Sequence, residues 1–325
     1  MVFIHHALGT RLLWMGVDLF FVLSGFLITG ILLKEKEKHS FGAYIGHFYS
    51  RRAKRILPPY FISLVVFAAV FGITWIKYWY LYFGAMNFLL ALRLPTPNSL
   101  LWSLAVEEQF YLLWPIAVFY MCRKHLLFLA SAMLVAAPLL RFVCTPHFIN
   151  HWPIYTQLPF RMDTLAAGAC LAIVWPDLQT KGVSAANVRK HAALVSVAMF
   201  VVAFVSLYFL AKHNLTPDGN TPLGNFAVYE ATLFIAAAMF LFTLSDYAKA
   251  ALSFAPLVYV GRVSYSIYLI HLAILHIVPK GNVLLAAAGS LVYATVMWYL
   301  VEKPILTYRG RTNREPEEVV ATVKP

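Results

Sequence analysis

The sequence predicts an all-α fold, a polytopic transmembrane helical bundle of about ten helices, and two observations support this prediction. First, the chain of 325 residues is 61% hydrophobic and only 12% charged, which is about half the charged share of a soluble domain. Second, several apolar runs approach the roughly 20 residues that a helix needs to cross a bilayer. Because lipid cannot pair with backbone polar groups, each run is expected to be helical.

The predicted spans alternate in direction across the membrane. They cover residues 15–33, 57–76, 109–121, 126–143, 162–175, 191–211, 226–244, 257–279 and 284–301. The opening residues MVFIHHALG are interpreted as the end of one more span, so the first helix is expected to be truncated or its start assigned too late. The apolar stretch 77–92 breaks the alternation and is interpreted as a re-entrant or interfacial helix on the outer side. We expect a transmembrane domain at 1–305 and a polar cytoplasmic tail at 306–325.

The distribution of basic residues predicts the orientation. The net charge is +12, and most Lys and Arg residues fall in 34–56, 122–125, 176–190, 246–256 and the tail. Cytoplasmic loops carry an excess of Lys and Arg, so both termini are predicted to be cytoplasmic. Most of the positive charge is therefore explained by the orientation of the chain in the lipid bilayer. No nucleic-acid partner is expected.

Two histidines at the start of the chain are the first candidate functional residues. Ionisable groups inside apolar spans are costly and are candidates by default, and histidine suits a general base because it titrates near neutral pH. The alternative for His5 and His6 is a polar position near a helix end. Asp18 follows on the next span, where a contact with the histidine would fix the imidazole tautomer. The alternative for Asp18 is a hydrogen bond that stabilises the helix hairpin.

The segment HFYSRRAKRILPPY carries a pair of arginines with helical spacing. Arg52 and Arg55 are three residues apart, so they share one face of a helix, whereas Arg51 and Lys54 point elsewhere. Paired guanidinium groups suit phosphate oxygens, which they bind through bidentate hydrogen bonds. The alternative is a basic collar at the cytoplasmic boundary that binds anionic lipid.

Further polar residues lie in WSLAVEEQFYLLWP and RMDTLAAGACLA. Adjacent helical residues point about 100° apart, so Glu107 is predicted to point inward and Glu108 towards the interface. Arg161 and Asp163 are expected to form a paired or hydrogen-bonded set of charges at a helix start. The small residues around Gly168 indicate close helix packing.

Taken in order, six segments closely resemble the acyltransferase-3 family of integral membrane acyltransferases. They are GVDLFFVLSGFLITG, FYSRRAKRILPPY, WSLAVEEQFYLLWP, FRMDTLAAGACLA, SYSIYLIH and VEKP. The resemblance covers nearly the whole chain and implies a bundle of ten helices. It also implies transfer of an acyl group, most commonly acetyl, from cytoplasmic acyl-CoA to a hydroxyl of a carbohydrate or glycolipid acceptor. The expected location is a bacterial inner membrane.

The resemblance also implies roles for individual residues. The essential histidine of the family maps to His5, with His6 as the close alternative, and the Arg-x-x-Arg pair maps to Arg52 and Arg55. The glutamate of the WSLxVE segment maps to Glu107. One departure is that members usually carry an arginine before the first-helix histidine, and this chain has no counterpart for it.

A mechanism follows as an expectation. The arginines would hold the phosphates of acyl-CoA, and a histidine oriented by Asp18 would take the proton from the acceptor hydroxyl as that hydroxyl attacks the thioester. A thioester is already activated, and the three cysteines show no metal-ligand spacing, so no metal is expected.

The acceptor is expected at the outer mouth. Glu107 would line the site there, with Glu108, Tyr111, Arg161 and Asp163 as the acceptor-side residues. The alternative for Glu107 is a pair with Arg161 that only holds the bundle together. Two other functions stay open: a transporter or flippase that uses the intramembrane charges as a proton relay, and an inactive truncated remnant.

Overall fold

The computed structural model describes residues 1–10, 12–72, 79, 82–94, 98–180, 185–279 and 281–307, and this part of the chain is helical without strands. The helices are α1 (Val2–Leu8), α2 (Gly16–Glu35), α3 (Phe41–Phe71), α4 (Met86–Ala91), α5 (Leu101–Tyr120), α6 (Arg123–Cys144), α7 (Trp152–Thr156), α8 (Leu158–Thr180), α9 (Ala185–Lys212), α10 (Pro222–Thr243), α11 (Asp246–Leu252), α12 (Ala255–Ile277), α13 (Val283–Met297) and α14 (Lys303–Thr307). A π-helical turn at Trp298–Glu302 joins α13 to α14.

The structure confirms the predicted class, a polytopic helical bundle. Among the described residues, eight helical segments are long and apolar enough to cross a membrane: α2, α3, α6, α8, α9, α10, α12 and α13 with its continuation. The 20-residue helix α5 lies among them and corresponds to the predicted span 109–121. Its polar run Glu107, Glu108 and Gln109 lowers its hydropathy below that of the other eight. Each of the nine predicted spans thus coincides with one long helix.

Two helices extend well beyond their predicted spans. The segment 34–56 was expected to be an inner loop, but α3 already begins at Phe41 and is 31 residues long. Its first turns are held because Tyr44 is buried and its hydroxyl donates to the Pro115 carbonyl of α5 at 3.1 Å. Similarly, α5 begins at Leu101 because its first turns pack into a buried apolar cluster.

Some predicted segments lie partly outside the described residues. The end of the span 57–76 does so from residue 73, and the stretch 77–92 does so at 77–78 and 80–81. Within that stretch the structure places the short helix α4, which packs against α5 and α7. The tail is outside the described residues from residue 308.

Helices α2 and α8 form the centre of the bundle. A Cβ atom on Gly25 of α2 would overlap the Leu165 carbonyl, and a Cβ atom on Gly168 of α8 would overlap the Val22 carbonyl. The two backbones therefore touch, which confirms the close packing predicted around Gly168. Helix α5 joins this pair through a buried aromatic cluster that includes Trp102.

Helix α1 is short and stands at one end of α2. It covers seven residues and is capped at its C-terminus by Gly9, whose φ of 63° lies in the left-handed region that glycine adopts readily. The chain then turns back into α2, while α1 packs against α12. His5 and His6 are thereby placed beside the first turn of α2.

Candidate active site

A long cavity lies between α2, α3, α5 and α12, and we call it the arginine cavity. Its volume is about 560 Å³, and most of its wall is apolar. The polar and charged residues in its lining are Ser24, Glu35, Arg51, Arg52, Arg55, Glu107, Tyr111 and Ser264, with the hydroxyls of Tyr44 and Tyr265. It follows α2 from Phe20 to Glu35, which is about 22 Å of helix at 1.5 Å per residue.

The two predicted arginines do line one site. Arg52 and Arg55 both face the arginine cavity, as the helical spacing predicted. Arg51, which was expected to point elsewhere, also lines the cavity and lies 3.3 Å from Glu35. Lys54 is exposed and is absent from the cavity lining. Three guanidinium groups are thus gathered where α3 passes the end of α2.

Glu107 anchors a polar chain in the wall of this cavity. The Tyr111 hydroxyl donates to Glu107 Oε1 at 2.9 Å and also shares a short hydrogen bond with the Ser24 hydroxyl. The Arg52 guanidinium lies 4.5 Å from the centroid of the Tyr111 ring, which is a cation–π contact. Glu107 therefore orients the tyrosine on which Arg52 rests.

The location of Glu107 differs from the expectation. It was predicted at the outer mouth on the acceptor side, but it shares the arginine cavity with Arg52 and Arg55, and so does Tyr111. The alternative of a pair with Arg161 is wrong, because Arg161 binds Asp18 instead. The reason is that α5 begins at Leu101, so Glu107 lies almost two turns inside the helix.

The two neighbouring glutamates point apart as predicted. Glu107 is buried, whereas Glu108 is half-buried and faces Gly84, beside α4. Glu108 lines neither of the two cavities described here.

A second, smaller space contains the histidines, and we call it the histidine pocket. Its volume is about 110 Å³. The lining residues are Val2, His5, His6, Trp14, Val17, Ser99, Leu100, Trp102, Trp152, Tyr155 and Tyr268. They come from α1, α2, α5, α7 and α12 and from the turns beside them, and aromatic rings form much of the wall.

The hydrogen bonds of both histidines define their tautomers. His5 Nδ1 lies 2.5 Å from the Thr10 carbonyl oxygen, and His6 Nδ1 lies 2.9 Å from the Val2 carbonyl oxygen. A carbonyl oxygen only accepts, so Nδ1 carries the proton in each ring when the imidazole is neutral. Nε2 is then an unprotonated acceptor in both side chains, which is the form that a general base needs.

The predicted contact between His5 and Asp18 is wrong. Asp18 is fully buried and its carboxylate forms an ion pair with Arg161 of α8. The α2–α8 contact brings these two side chains together, whereas His5 turns towards Thr10. Asp18 therefore holds two central helices together instead of orienting the histidine.

Arg161 and Asp163 are both paired, but not with each other. Asp163 Oδ2 lies 2.7 Å from Arg141 Nη2, and the same nitrogen is 2.5 Å from Glu230 Oε1. Residues two apart on a helix point to nearly opposite sides, so these two side chains reach different neighbours. Both residues are buried, and neither lines the arginine cavity or the histidine pocket.

Two stacked rings stand between the cavities. Phe20 lines the arginine cavity and Tyr268 lines the histidine pocket, and their ring centroids are 6.4 Å apart at an interplanar angle of 20°. The Tyr268 hydroxyl is fixed, because it lies 2.6 Å from Ser103 Oγ and donates to the Leu100 carbonyl at 3.0 Å. Sequence reasoning missed Phe20, Ser24 and Tyr268, although all three lie in the segments GVDLFFVLSGFLITG and SYSIYLIH.

One group of side chains at the edge of the arginine cavity could approach a cation. Among the described residues, ligand atoms of Glu35, His39 and His47 lie within 4.8 Å of one another. The Glu35 carboxylate is already 3.3 Å from the Arg51 guanidinium. Because a guanidinium competes for that carboxylate, we interpret the group as an ion-pair cluster.

Comparison with known proteins places these features in a family. The model of the acyltransferase-3 family, described as an acyltransferase domain, matches residues 1–301. A peptidoglycan O-acetyltransferase OatA of Listeria monocytogenes is 28% identical, over 90% of this chain and 51% of the relative. An O-acetyltransferase OatA of Staphylococcus aureus is 29% identical, over 81% of this chain and 46% of the relative. The chain thus spans about half the length of the curated relatives it matches. No solved structure matches it.

Proposed function

Because this chain belongs to the acyltransferase-3 family, we propose that it transfers an acetyl group from acyl-CoA to a hydroxyl of a carbohydrate acceptor across the membrane. The observation that carries this proposal is the pair of spaces on either side of Phe20 and Tyr268. One space gathers three guanidinium groups, and the other gathers two imidazoles with unprotonated Nε2 atoms.

The arginine cavity has the chemistry of a donor site. Arg52 and Arg55 would bind the phosphates of acyl-CoA through charge-assisted hydrogen bonds. Apolar walls along α2 suit the long, thin pantetheine arm, and the cavity volume falls within the range of small-molecule sites. The relatives named as O-acetyltransferases support acetyl as the transferred group.

Glu107 and Tyr111 would act as positioning residues for the donor. The Glu107 carboxylate accepts a hydrogen bond from the Tyr111 hydroxyl, and the face of the Tyr111 ring contacts the Arg52 guanidinium. Arg52 is thereby presented to a phosphate in one orientation, which lowers the entropy cost of binding.

The histidine pocket would receive the acceptor. Nε2 of His5 or His6 would remove the proton from the acceptor hydroxyl as its oxygen attacks the thioester carbonyl. The carbon–sulfur bond then breaks, the new ester stays on the acceptor, and the CoA sulfur leaves and takes up a proton. Aromatic faces such as Trp102 and Trp152 suit the flat face of a sugar ring, and the relative named as a peptidoglycan O-acetyltransferase supports a carbohydrate acceptor.

The positions along α2 and the charge distribution support opposite membrane sides for the two spaces. Val17 of the histidine pocket and Glu35 of the arginine cavity are near opposite ends of this helix, about 27 Å apart. Basic residues cluster on the side of the arginine cavity, which supports a cytoplasmic location for that side. The location would be the bacterial inner membrane, with the acceptor, free or carried on a lipid, at its outer face.

The experiment uses membranes that contain this protein, radiolabelled acetyl-CoA and purified surface glycan of the host. We expect label in the glycan, released by mild base as an ester would be, and loss of label when either the arginine pair or the base histidine is replaced by alanine. Membranes with Lys54→Ala serve as the matched control and should keep full activity. If properly inserted wild-type protein transfers no label to any glycan tested, the proposed function is wrong.

A further inference from the structure

We propose that His271 of α12 is a positioning residue that holds His6 in one tautomer, so that His6 Nε2 is the base in the histidine pocket. The base role rests on the proposed function, whereas the contact between the two histidines does not.

The surroundings of His271 fix its own proton. Its side chain is almost fully buried, with 1% of its surface exposed. Nδ1 lies 2.9 Å from the Tyr268 carbonyl oxygen and 3.3 Å from the Ile267 carbonyl oxygen. Because both partners only accept, Nδ1 must donate, and Nε2 is left as an acceptor.

His6 meets that acceptor with its own Nδ1. His6 Nδ1 lies 3.4 Å from His271 Nε2 and 2.9 Å from the Val2 carbonyl oxygen. With two acceptors around one nitrogen, the proton of a neutral His6 belongs on Nδ1. His6 Nε2 is therefore the unprotonated nitrogen, and the ring lines the histidine pocket.

Among the described residues, no second helix gives His5 this support. Its side-chain hydrogen bond joins Nδ1 to the carbonyl of Thr10, in the turn that follows α1. Its ring touches the His6 ring edge-on, with centroids 4.9 Å apart. The geometry therefore favours His6 over His5, the reverse of the order that the family resemblance implied.

His271 also fixes where α1 stands. Helix α1 is only seven residues long, and the rings of Phe3 and His6 lie 5.9 Å and 5.3 Å from the His271 ring. A short helix has little packing of its own to set its position. One buried imidazole thus sets both the place and the tautomer of the proposed base, in the way that supporting residues orient metal-bound histidines.

The first readout is the tautomer of His6 in the intact protein. Protein labelled with ¹⁵N at histidine is examined by NMR near pH 8, and the His6 signals are assigned by their loss in His6→Ala. We expect one form, protonated at Nδ1, in the wild type and a measurable share of the Nε2-protonated tautomer in His271→Phe, where only the Val2 carbonyl still favours the proton on Nδ1. His271→Gln, whose amide oxygen can accept the same hydrogen bond, should restore the single form.

The second readout is steady-state turnover with acetyl-CoA and glycan. We expect His271→Phe to lower kcat by about tenfold to a hundredfold, with KM for acetyl-CoA unchanged and with much of the loss restored in His271→Gln. His276→Phe is the matched control on the same helix, since its ring packs on Phe71 outside the pocket, and it should leave kcat unchanged.

Three results would overturn the proposal. The contact is refuted if the His6 tautomer is the same in His271→Phe as in the wild type. The positioning role is refuted if kcat stays unchanged in that variant. The base assignment is refuted if His5→Ala abolishes transfer while His6→Ala retains it. If the wild type shows the expected tautomer but transfers no acetyl, the proposed function fails while the histidine contact stands, and the base role falls with the function.

Discussion

At the scale of single residues, substitution of Arg52 is the best test of donor binding. Replacing Arg52 by alanine removes a guanidinium from the arginine cavity and leaves the Tyr111 ring without its cation. A hydrogen bond to a charged group contributes about 1.5–3 kcal/mol, so KM for acyl-CoA should rise about tenfold to a hundredfold. Lys54→Ala, two residues along the same helix, should leave KM unchanged. An equal rise in both variants would indicate a general loss of surface charge instead of a phosphate site.

The neighbouring glutamates offer a second residue-scale prediction. Glu107→Ala removes the acceptor for the Tyr111 hydroxyl, so we expect a weaker hold on Arg52 and a several-fold higher KM for acyl-CoA. Glu107→Gln keeps an acceptor oxygen, so its KM for acyl-CoA should lie between the values of the wild type and of Glu107→Ala. Glu108→Ala, which changes a side chain beside Gly84, should have the smaller effect. Titration of initial rates with acyl-CoA gives all three values, and a larger effect at Glu108 would contradict the positioning role.

Residue identities were easier to predict than residue partners. The spacing of Arg52 and Arg55 predicted their shared face because both lie on one helix, where geometry is local. Asp18 could not be assigned to Arg161 in the same way, since their contact depends on how α2 crosses α8. The contact between His271 and His6 could not be predicted from the sequence either, because the two residues lie near opposite ends of the chain.

At the scale of elements, the crossing of α2 and α8 is the contact most sensitive to substitution. A Cβ on Gly25 would overlap the backbone of α8, whereas a Cβ on Gly30, five residues further along α2, would have no atom of another described segment within 4 Å. Gly25→Ala forces the helices apart and should cost about 1–3 kcal/mol of stability.

The unfolding temperature of each variant in detergent, monitored by circular dichroism, measures this difference in stability. Gly30→Ala should keep or slightly raise the unfolding temperature, because alanine is the better helix former. Equal unfolding temperatures for Gly25→Ala and the wild type would show that the crossing is looser than the structure has it.

Spans were predicted well at this scale, and helix ends were not. Hydropathy locates the lipid-exposed middle of each helix, so all nine predicted spans coincide with long helices. It does not locate the ends of α3 and α5, where polar or basic turns continue the helix because their apolar residues are buried against neighbours.

At the scale of the whole molecule, the two spaces and the ring pair between them come from several helices at once. Neither space could be predicted from the sequence, because each depends on the mutual placement of four or five segments. The family resemblance supplied the candidate residues, and the fold then placed some of them in the arginine cavity, some in the histidine pocket and others, such as Arg161 and Asp163, in neither. Glu107 and Tyr111 line the arginine cavity together with the arginines, whereas the histidines line the separate histidine pocket.

In the proposed function the donor binds on one side of the membrane and the acceptor on the other. The most direct test reconstitutes the protein in vesicles with acceptor glycan trapped inside and radiolabelled acetyl-CoA added outside, in the orientation that exposes the basic face outwards. We expect label in the enclosed glycan and none in glycan added outside. Label that appears only when donor and acceptor share one side would contradict it.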